Sequence, residues 1–321
     1  MLIAAATAAA PLLSLPLRVQ GQAGTRAPRI GVLRWGAPGD EAQVGLTAAL
    51  RVLGYREGQT LTIEWRFTTR KDQAQAYAAE LVALNLDLLV ASATPAAEAL
   101  RDATKSVPIV MATVADPVAS GLVTSLARPG GNITGLSTNL PAMVPKQLQL
   151  LRETLPGLQR AAFLGSTDDV ATKLFVEQAQ VAARTLGIRL QPVLISQPRE
   201  FEAAVDSMHR ERAQGVVVQP LFTLSQAAPL AAILQQRQLP SISALRSFVV
   251  GGGLMSYGPR RADLWRRSAS IIDRVLKGAR PDTLPVEEPS TFELLFNLRT
   301  AQSLALKVPQ KLLLRAEEVI E

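Results

Sequence analysis

From Arg29 onward the chain switches repeatedly between two hydrophobic patterns. Short, nearly continuous apolar runs alternate with longer stretches in which apolar residues recur every three or four positions. The first pattern reads as strands buried on both faces, the second as helices covering them. Strands are predicted at Arg29–Arg34, Leu61–Phe67, Asp87–Ala91, Pro108–Ala112, Ile133–Ser137, Ala161–Leu164, Arg189–Ile195, Gly215–Gln219, Ser241–Ala244, Leu254–Tyr257 and Phe292–Asn297. Helices are predicted between them at Glu41–Leu53, Gln73–Leu84, Pro95–Ala103, Pro141–Thr154, Val170–Leu186, Glu200–Arg212, Ser225–Gln236 and Arg261–Leu276, with a closing helix from Thr300. Gly54 supplies a C-terminal cap, and Pro95 suits the first turn of its helix.

This alternation implies an α/β fold of βαβ units with parallel sheets. The strands are too many for one compact doubly wound sheet and suit two. In such sheets ligands bind beyond the carboxyl ends of the strands. Two lobes facing each other there would enclose a cleft for a small molecule.

Composition narrows the function. The chain has 321 residues and 48% hydrophobic residues, enough for two cores. It contains no cysteine, which excludes thiol catalysis, disulfides and thiolate metal sites, and a single histidine, His209, which excludes a poly-histidine metal site. The formal charge of +7 is scattered, as in Arg260-Arg261 and Arg266-Arg267, without the runs and interleaved aromatics of a nucleic-acid surface. Neither Gly130-Gly131 nor Gly251-Gly252-Gly253 forms a nucleotide fingerprint, so no cofactor is expected. Leu2–Leu17 is apolar and uncharged but broken by Pro11 and Pro16. With the small residues Gly21-Gln22-Ala23 behind it, this stretch reads as a signal peptide over residues 1–23, although no basic residue precedes Leu2. A periplasmic location follows as the expectation.

Several stretches are similar to the substrate-binding proteins of ABC transporters, in particular the tryptophan-binding-like members. They are Ala91-Ser-Ala-Thr-Pro95, Asp116-Pro-Val-Ala-Ser-Gly-Leu-Val123, Ala127-Arg-Pro-Gly-Gly-Asn-Ile-Thr-Gly135, Lys146–Pro156, Ser256-Tyr-Gly258, Leu284–Pro289 and Glu317–Glu321. The resemblance implies a type I periplasmic-binding-protein fold, with two lobes joined by three crossing strands. Residues 29–137 plus 254–280 would form lobe 1, and 138–253 plus 281–321 lobe 2. It also implies a monomer that captures a small solute without chemistry and delivers it to an ABC permease in the inner membrane. A ligand sensor is the first alternative, since one fold serves several roles. A flavodoxin-like enzyme is the second; it would need an acid–base or nucleophile set that the sequence does not display.

The candidate ligand residues lie at strand ends and crossings. Ser92 and Thr94 stand at a helix N-terminus, where free amides favour an anion, though both also suit capping. Asp116 either contacts the ligand or caps its own turn. Ser137, Thr138 and Asn139 lie at the first crossing, and Ser166 and Thr167 follow a second-lobe strand, with neighbouring Asp168 read as a cap. Trp35, Phe222 and Tyr257 are candidate walls for a flat solute, against the alternative of core aromatics. Amino-acid-binding relatives carry polar or acidic loops where this chain has Leu221-Phe222-Thr223 and Leu245-Arg246. That difference argues for a carboxylate solute with an apolar or aromatic body, held by Arg246, rather than an amino acid.

Overall fold

The computed structural model describes residues 26–39 and 41–321. The expected signal peptide and Asp40 lie outside the described residues. The first sheet contains β1 (Arg29–Trp35), β2 (Thr62–Thr68), β3 (Leu88–Ser92), β4 (Ile109–Val114) and β5 (Ile133–Ser137). Its order is β2-β1-β3-β4-β5, and every pairing is parallel. Helices α1 (Glu41–Val52), α2 (Lys71–Ala83) and α3 (Thr94–Ala103) connect these strands.

The near-continuous apolar runs have a direct structural cause. Successive side chains of a strand point to opposite faces. Leu89, Ala91, Ile109 and Met111 therefore join one buried cluster with α2 and α3, while Leu88, Val90, Val110 and Ala112 join another with α1.

The second sheet contains β6 (Arg160–Ser166), β7 (Arg189–Ile195), β8 (Val216–Val218), β9 (Ser241–Ser243), β10 (Met255–Pro259), β11 (Phe292–Asn297) and β12 (Glu318–Ile320). Its order is β12-β11-β10-β9-β8-β6-β7, with β10 and β11 antiparallel and the other pairs parallel. Its helices are α4 (Val144–Thr154), α5 (Thr172–Leu186), α6 (Phe201–Arg210), the short α7 (Pro220–Thr223), α8 (Ala227–Gln236) and α9 (Arg246–Val250). After β10 comes α10 (Arg261–Leu276), and α11 (Leu298–Ser303) and α12 (Gln310–Leu313) follow β11. Together these are the two parallel-sheet lobes of the type I periplasmic-binding fold. Among the described residues, no helix is long and apolar enough to cross a membrane.

The chain passes between lobes three times. The first passage follows β5. The second follows β10 and carries α10 to the first lobe, where Trp265, Ile271 and Ile272 share a buried cluster with Ile30 and Leu46. Near residue 284 the chain runs along the edge of β5: Thr134 Oγ1 donates to the Leu284 carbonyl at 2.7 Å, and the Glu287 amide to the Gly135 carbonyl at 3.0 Å. It then crosses back to β11. These pairings move two of the expected lobe boundaries. Residues 255–259 pair with β9 and β11 in the second sheet, whereas residues 284–287 lie against the first. An apolar strand has the same composition on either side of a crossing, so hydrophobic pattern does not locate the passage.

Candidate functional site

The loops at the carboxyl ends of the two sheets face each other across a cleft enclosing about 490 Å³ of empty space, part of it open to solvent. From the first lobe come Ala93 and Thr94 at the turn into α3, Thr113 and Ala115 at the carboxyl end of β4, and Arg261 and Leu264 of α10. The second lobe contributes Asp169, Phe175, Gln219, Pro220, Leu221, Leu224 and Leu245, and the passages contribute Thr138, Leu140 and Pro259. Leu221 also joins the buried cluster of the first lobe, so the lobes touch beside the cleft.

Local backbone structure fixes the first-lobe rim. Ala93 has φ of 76°, in the region that favours glycine. Its amide donates to the Thr113 carbonyl at 3.0 Å. The turn aims the amino end of α3 at the cleft, where exposed amides and the helix dipole favour an anion. Thr94 Oγ1 accepts from the Ala115 amide at 3.4 Å, and Thr138 Oγ1 donates to the Val114 carbonyl at 2.9 Å.

Among the described residues that line the cleft, charge comes from Arg261 and Asp169. Arg261 opens α10 with its guanidinium 5.8 Å from the centre of the Trp265 ring, and the buried Arg34 lies over the same ring at 5.7 Å. Opposite stands Asp169, which is 6% exposed. Its Oδ1 accepts from the Ala171 amide at 3.0 Å and its Oδ2 from Gln219 Nε2 at 2.8 Å. Gln219 is itself fixed, because its Oε1 accepts from the Ser166 amide at 2.7 Å and from Thr172 Oγ1 at 2.9 Å. Burial outweighs these hydrogen bonds and pushes the Asp169 carboxyl up to about 6.

That shift has a testable sign. The folded chain holds the Asp169 proton more tightly than the unfolded chain, whose carboxyl titrates near 3.8. The resulting stability is complete below pH 3.8 and is lost as pH rises through about 6. Wild type minus Asp169→Asn, compared by urea unfolding of ligand-free protein, is expected to fall by on the order of 3 kcal/mol across that window. A pH-independent difference would mean that the carboxyl is not buried in the ionised form.

Of the polar candidates singled out in the sequence, Thr94 and Thr138 line the cleft among the described residues. Ser92 is buried one layer behind, accepting from Arg34 Nη1 at 2.6 Å and lying 3.0 Å from Thr113 Oγ1. Asp116 Oδ1 accepts from the Val118 and Ala119 amides, so it caps its own turn. Ser137 Oγ accepts from the Asn139 amide, and Asn139 Nδ2 donates to Glu288 Oε1. Ser166 Oγ accepts from the Asp168 amide. Trp35 and Phe222 belong to the cores, Phe222 meeting Phe201 edge-on at 5.3 Å, and Tyr257 stacks on Phe292 at 6.2 Å.

Arg246 is paired elsewhere: both terminal nitrogens bond the Glu318 carboxylate, Nη2 to Oε1 at 2.7 Å. Both side chains are more than a third exposed, so the pair is worth at most about 1 kcal/mol. Arg246→Ala is expected to leave ligand affinity within about twofold and to lower stability by no more than that amount. A tenfold loss in a binding titration would restore Arg246 as a ligand contact. The residues that sequence reasoning missed are Asp169, Gln219 and Arg261. The only available signals were their places at a strand end or just after a crossing.

The family model described as ABC transporter substrate binding protein matches residues 36–320. A "Tyrosine-binding protein" of Clostridioides difficile (strain R20291) is 28% identical over 267 residues, covering 83% of this chain and 76% of that one. A Streptococcus pneumoniae structure described as an ABC domain in complex with L-Trp is 28% identical, with a TM-score of 0.84 over 91% of this chain and 99% of that one. A conserved domain protein of Vibrio cholerae O1 biovar El Tor superposes with a TM-score of 0.85 at 26% identity, over the same shares of the two chains.

Proposed function

The protein belongs to the ABC transporter substrate-binding protein family, and from that membership we propose that it captures an α-amino acid with an apolar or aromatic side chain for an ABC importer. It works outside the cytoplasm, exported by the signal peptide expected at residues 1–23, and hands the solute unchanged to a permease. The observation that carries this reading is the makeup of the cleft among the described residues: a carboxylate, a guanidinium and a helix amino end set among leucines. The ligand carboxylate meets Arg261 and the first turn of α3, its ammonium meets Asp169, and its body packs among Leu140, Phe175, Leu221, Leu224, Leu245 and Leu264. The relatives named for tyrosine and solved with L-Trp support the same class.

Lobe closure follows from the same arrangement. Asp169 stands on the second lobe, whereas Arg261 and Thr94 stand on the first. A zwitterion therefore bonds both at once, and contacts available only in the closed form shift the population toward it. A thermal-shift screen of amino acids, aromatic acids, nucleosides and short organic acids tests the reading. At a hundred times its dissociation constant a ligand adds about 2.7 kcal/mol of stability. A shift confined to amino acids with apolar or aromatic side chains is expected. A shift with nucleosides or sugars, or chemical turnover of any compound, would replace the proposal.

A further inference from the structure

Among the described residues Arg34 is the only buried arginine or lysine, 2% exposed at the carboxyl end of β1. A guanidinium taken out of water must be hydrogen-bonded. Nη1 of Arg34 donates to Ser92 Oγ at 2.6 Å, and Ser92 Oγ lies 3.0 Å from Thr113 Oγ1. Ser92 is fully buried at the end of β3, whereas Thr113 on β4 is half-buried and lines the cleft. Hydrogen bonds therefore run unbroken from the buried guanidinium to the cleft wall. A break in strand register makes this possible. Ala91 pairs with Met111 but Ser92 with Thr113, so Ala112 is an extra residue on β4. In unbroken register Ser92 would face Ala112, which has no hydroxyl. Such bulges re-aim a side chain and are frequent beside functional sites. The Thr113 carbonyl also accepts from the Ala93 amide at 3.0 Å, which sets the residue beside the turn into α3. Arg261, the second guanidinium against Trp265, lines the same cleft.

We propose that Thr113 donates a hydrogen bond to the carboxylate of the solute, and that Arg34 and Ser92 are positioning residues that hold its hydroxyl as a donor. The inference rests on the amino-acid reading of the cleft. The direction of the relay follows from its buried end. Arg34 has donors only, so Ser92 Oγ accepts from it, and a hydroxyl that accepts from a cation becomes a stronger donor through its own O–H. With Ser92 donating to Thr113 Oγ1, the Thr113 O–H is left to point into the cleft. A carboxylate takes that bond in its strong, charge-assisted form, next to Arg261 and the first turn of α3. A neutral carboxamide takes it in the weaker form, so the relay favours an amino acid over its amide.

The test compares wild type with Thr113→Val, which keeps the shape and removes the hydroxyl, and with Thr113→Ser, which keeps the hydroxyl. Titration calorimetry uses L-tryptophan, L-tyrosine and L-leucine, each beside its carboxamide. For the amino acid that wild type binds most tightly, Thr113→Val is expected to weaken the acid by at least about tenfold and the amide by less than about threefold. Thr113→Ser should stay within about threefold of wild type. In a Ser92→Ala background, adding Thr113→Val should cost less than about threefold, because the hydroxyl is no longer held toward the cleft. Where loss of the buried Ser92 hydroxyl prevents folding, the two Thr113 variants decide alone. Equal weakening of acid and amide, an acid affinity unchanged in Thr113→Val, or Thr113→Ser as weak as Thr113→Val would overturn the assignment. The same loss with and without Ser92 would overturn the relay. If wild type binds none of the three amino acids, the amino-acid reading fails and the relay with it. If wild type binds one and the variants depart from these results, the relay alone fails.

Discussion

Replacing Asp169 by asparagine is expected to weaken amino-acid binding by roughly thirtyfold to several thousandfold while the chain still folds. Truncating one partner of a buried, hydrogen-bonded charge pair costs about 2–5 kcal/mol, which converts to that range. Asp169 meets the conditions for the upper part of it. The residue is 6% exposed, and the Gln219 amide, itself fixed by Ser166 and Thr172, holds the carboxylate in place. A ligand ammonium bound there also draws the carboxyl down from about 6, so binding releases a proton. Affinity for the amino acid is therefore expected to fall as pH drops below about 6 in wild type and to lose that dependence in Asp169→Asn. Titration at several pH values checks both statements. Unchanged affinity in the variant would remove Asp169 from the site.

Gly258→Ala is expected to be the most damaging of the small substitutions, costing several kcal/mol and leaving little soluble protein. A Cβ at Gly258, on β10 just before the second passage, would lie 2.1 Å from the Ala244 carbonyl oxygen. Backbone cannot move aside as a flexible side chain can, and β10 is held between β9 and β11. Gly135 on β5 poses the same problem: its Cβ would stand 2.2 Å from the Met111 oxygen, and its φ of +132° is strained for any other residue. By contrast, Gly157→Ala places a Cβ in open space and should change stability by less than about 1 kcal/mol. Thermal unfolding of the three variants gives the ranking. A Gly258→Ala protein as stable as Gly157→Ala would mean that β9 and β10 are not as close as described.

The alternation of strands and helices was plain in the sequence because both sheets are covered on both faces, which forces continuous apolar runs. Ile133–Ser137, Arg189–Ile195, Arg261–Leu276 and Phe292–Asn297 coincide with their predicted bounds at both ends. The short α7, α9 and β12 carry too few residues for any periodicity to show. The site was legible only as loops. The sequence points to strand-end turns, and in several of them the residue lining the cleft is the neighbour of the one the chemistry favours. The cleft receives Ala115 beside Asp116, Leu221 beside Phe222, and Leu245 beside Arg246, and of the three residues expected at the first crossing it receives Thr138. Polar side chains in a tight turn often bond their own backbone, as Asp116 and Ser137 do, and the residue facing the ligand is then the adjacent one. Asp168 and Asp169 are chemically identical neighbours, and only tertiary packing separates them: Asp169 is buried against Gln219 and the Ala171 amide, whereas Asp168 is half-buried. Arg261 looked like one more scattered surface charge until α10 was seen to return to the first lobe at the mouth of the cleft.

The most direct measurement of the central claim is a calorimetric titration of the ligand-free full chain near neutral pH with L-tryptophan, L-tyrosine and L-leucine, followed by mass spectrometry of the recovered solute. Saturable one-to-one binding of at least one of them, with the solute recovered intact, is the expected result. Absence of binding by all three, or recovery of a chemically altered product, would contradict it.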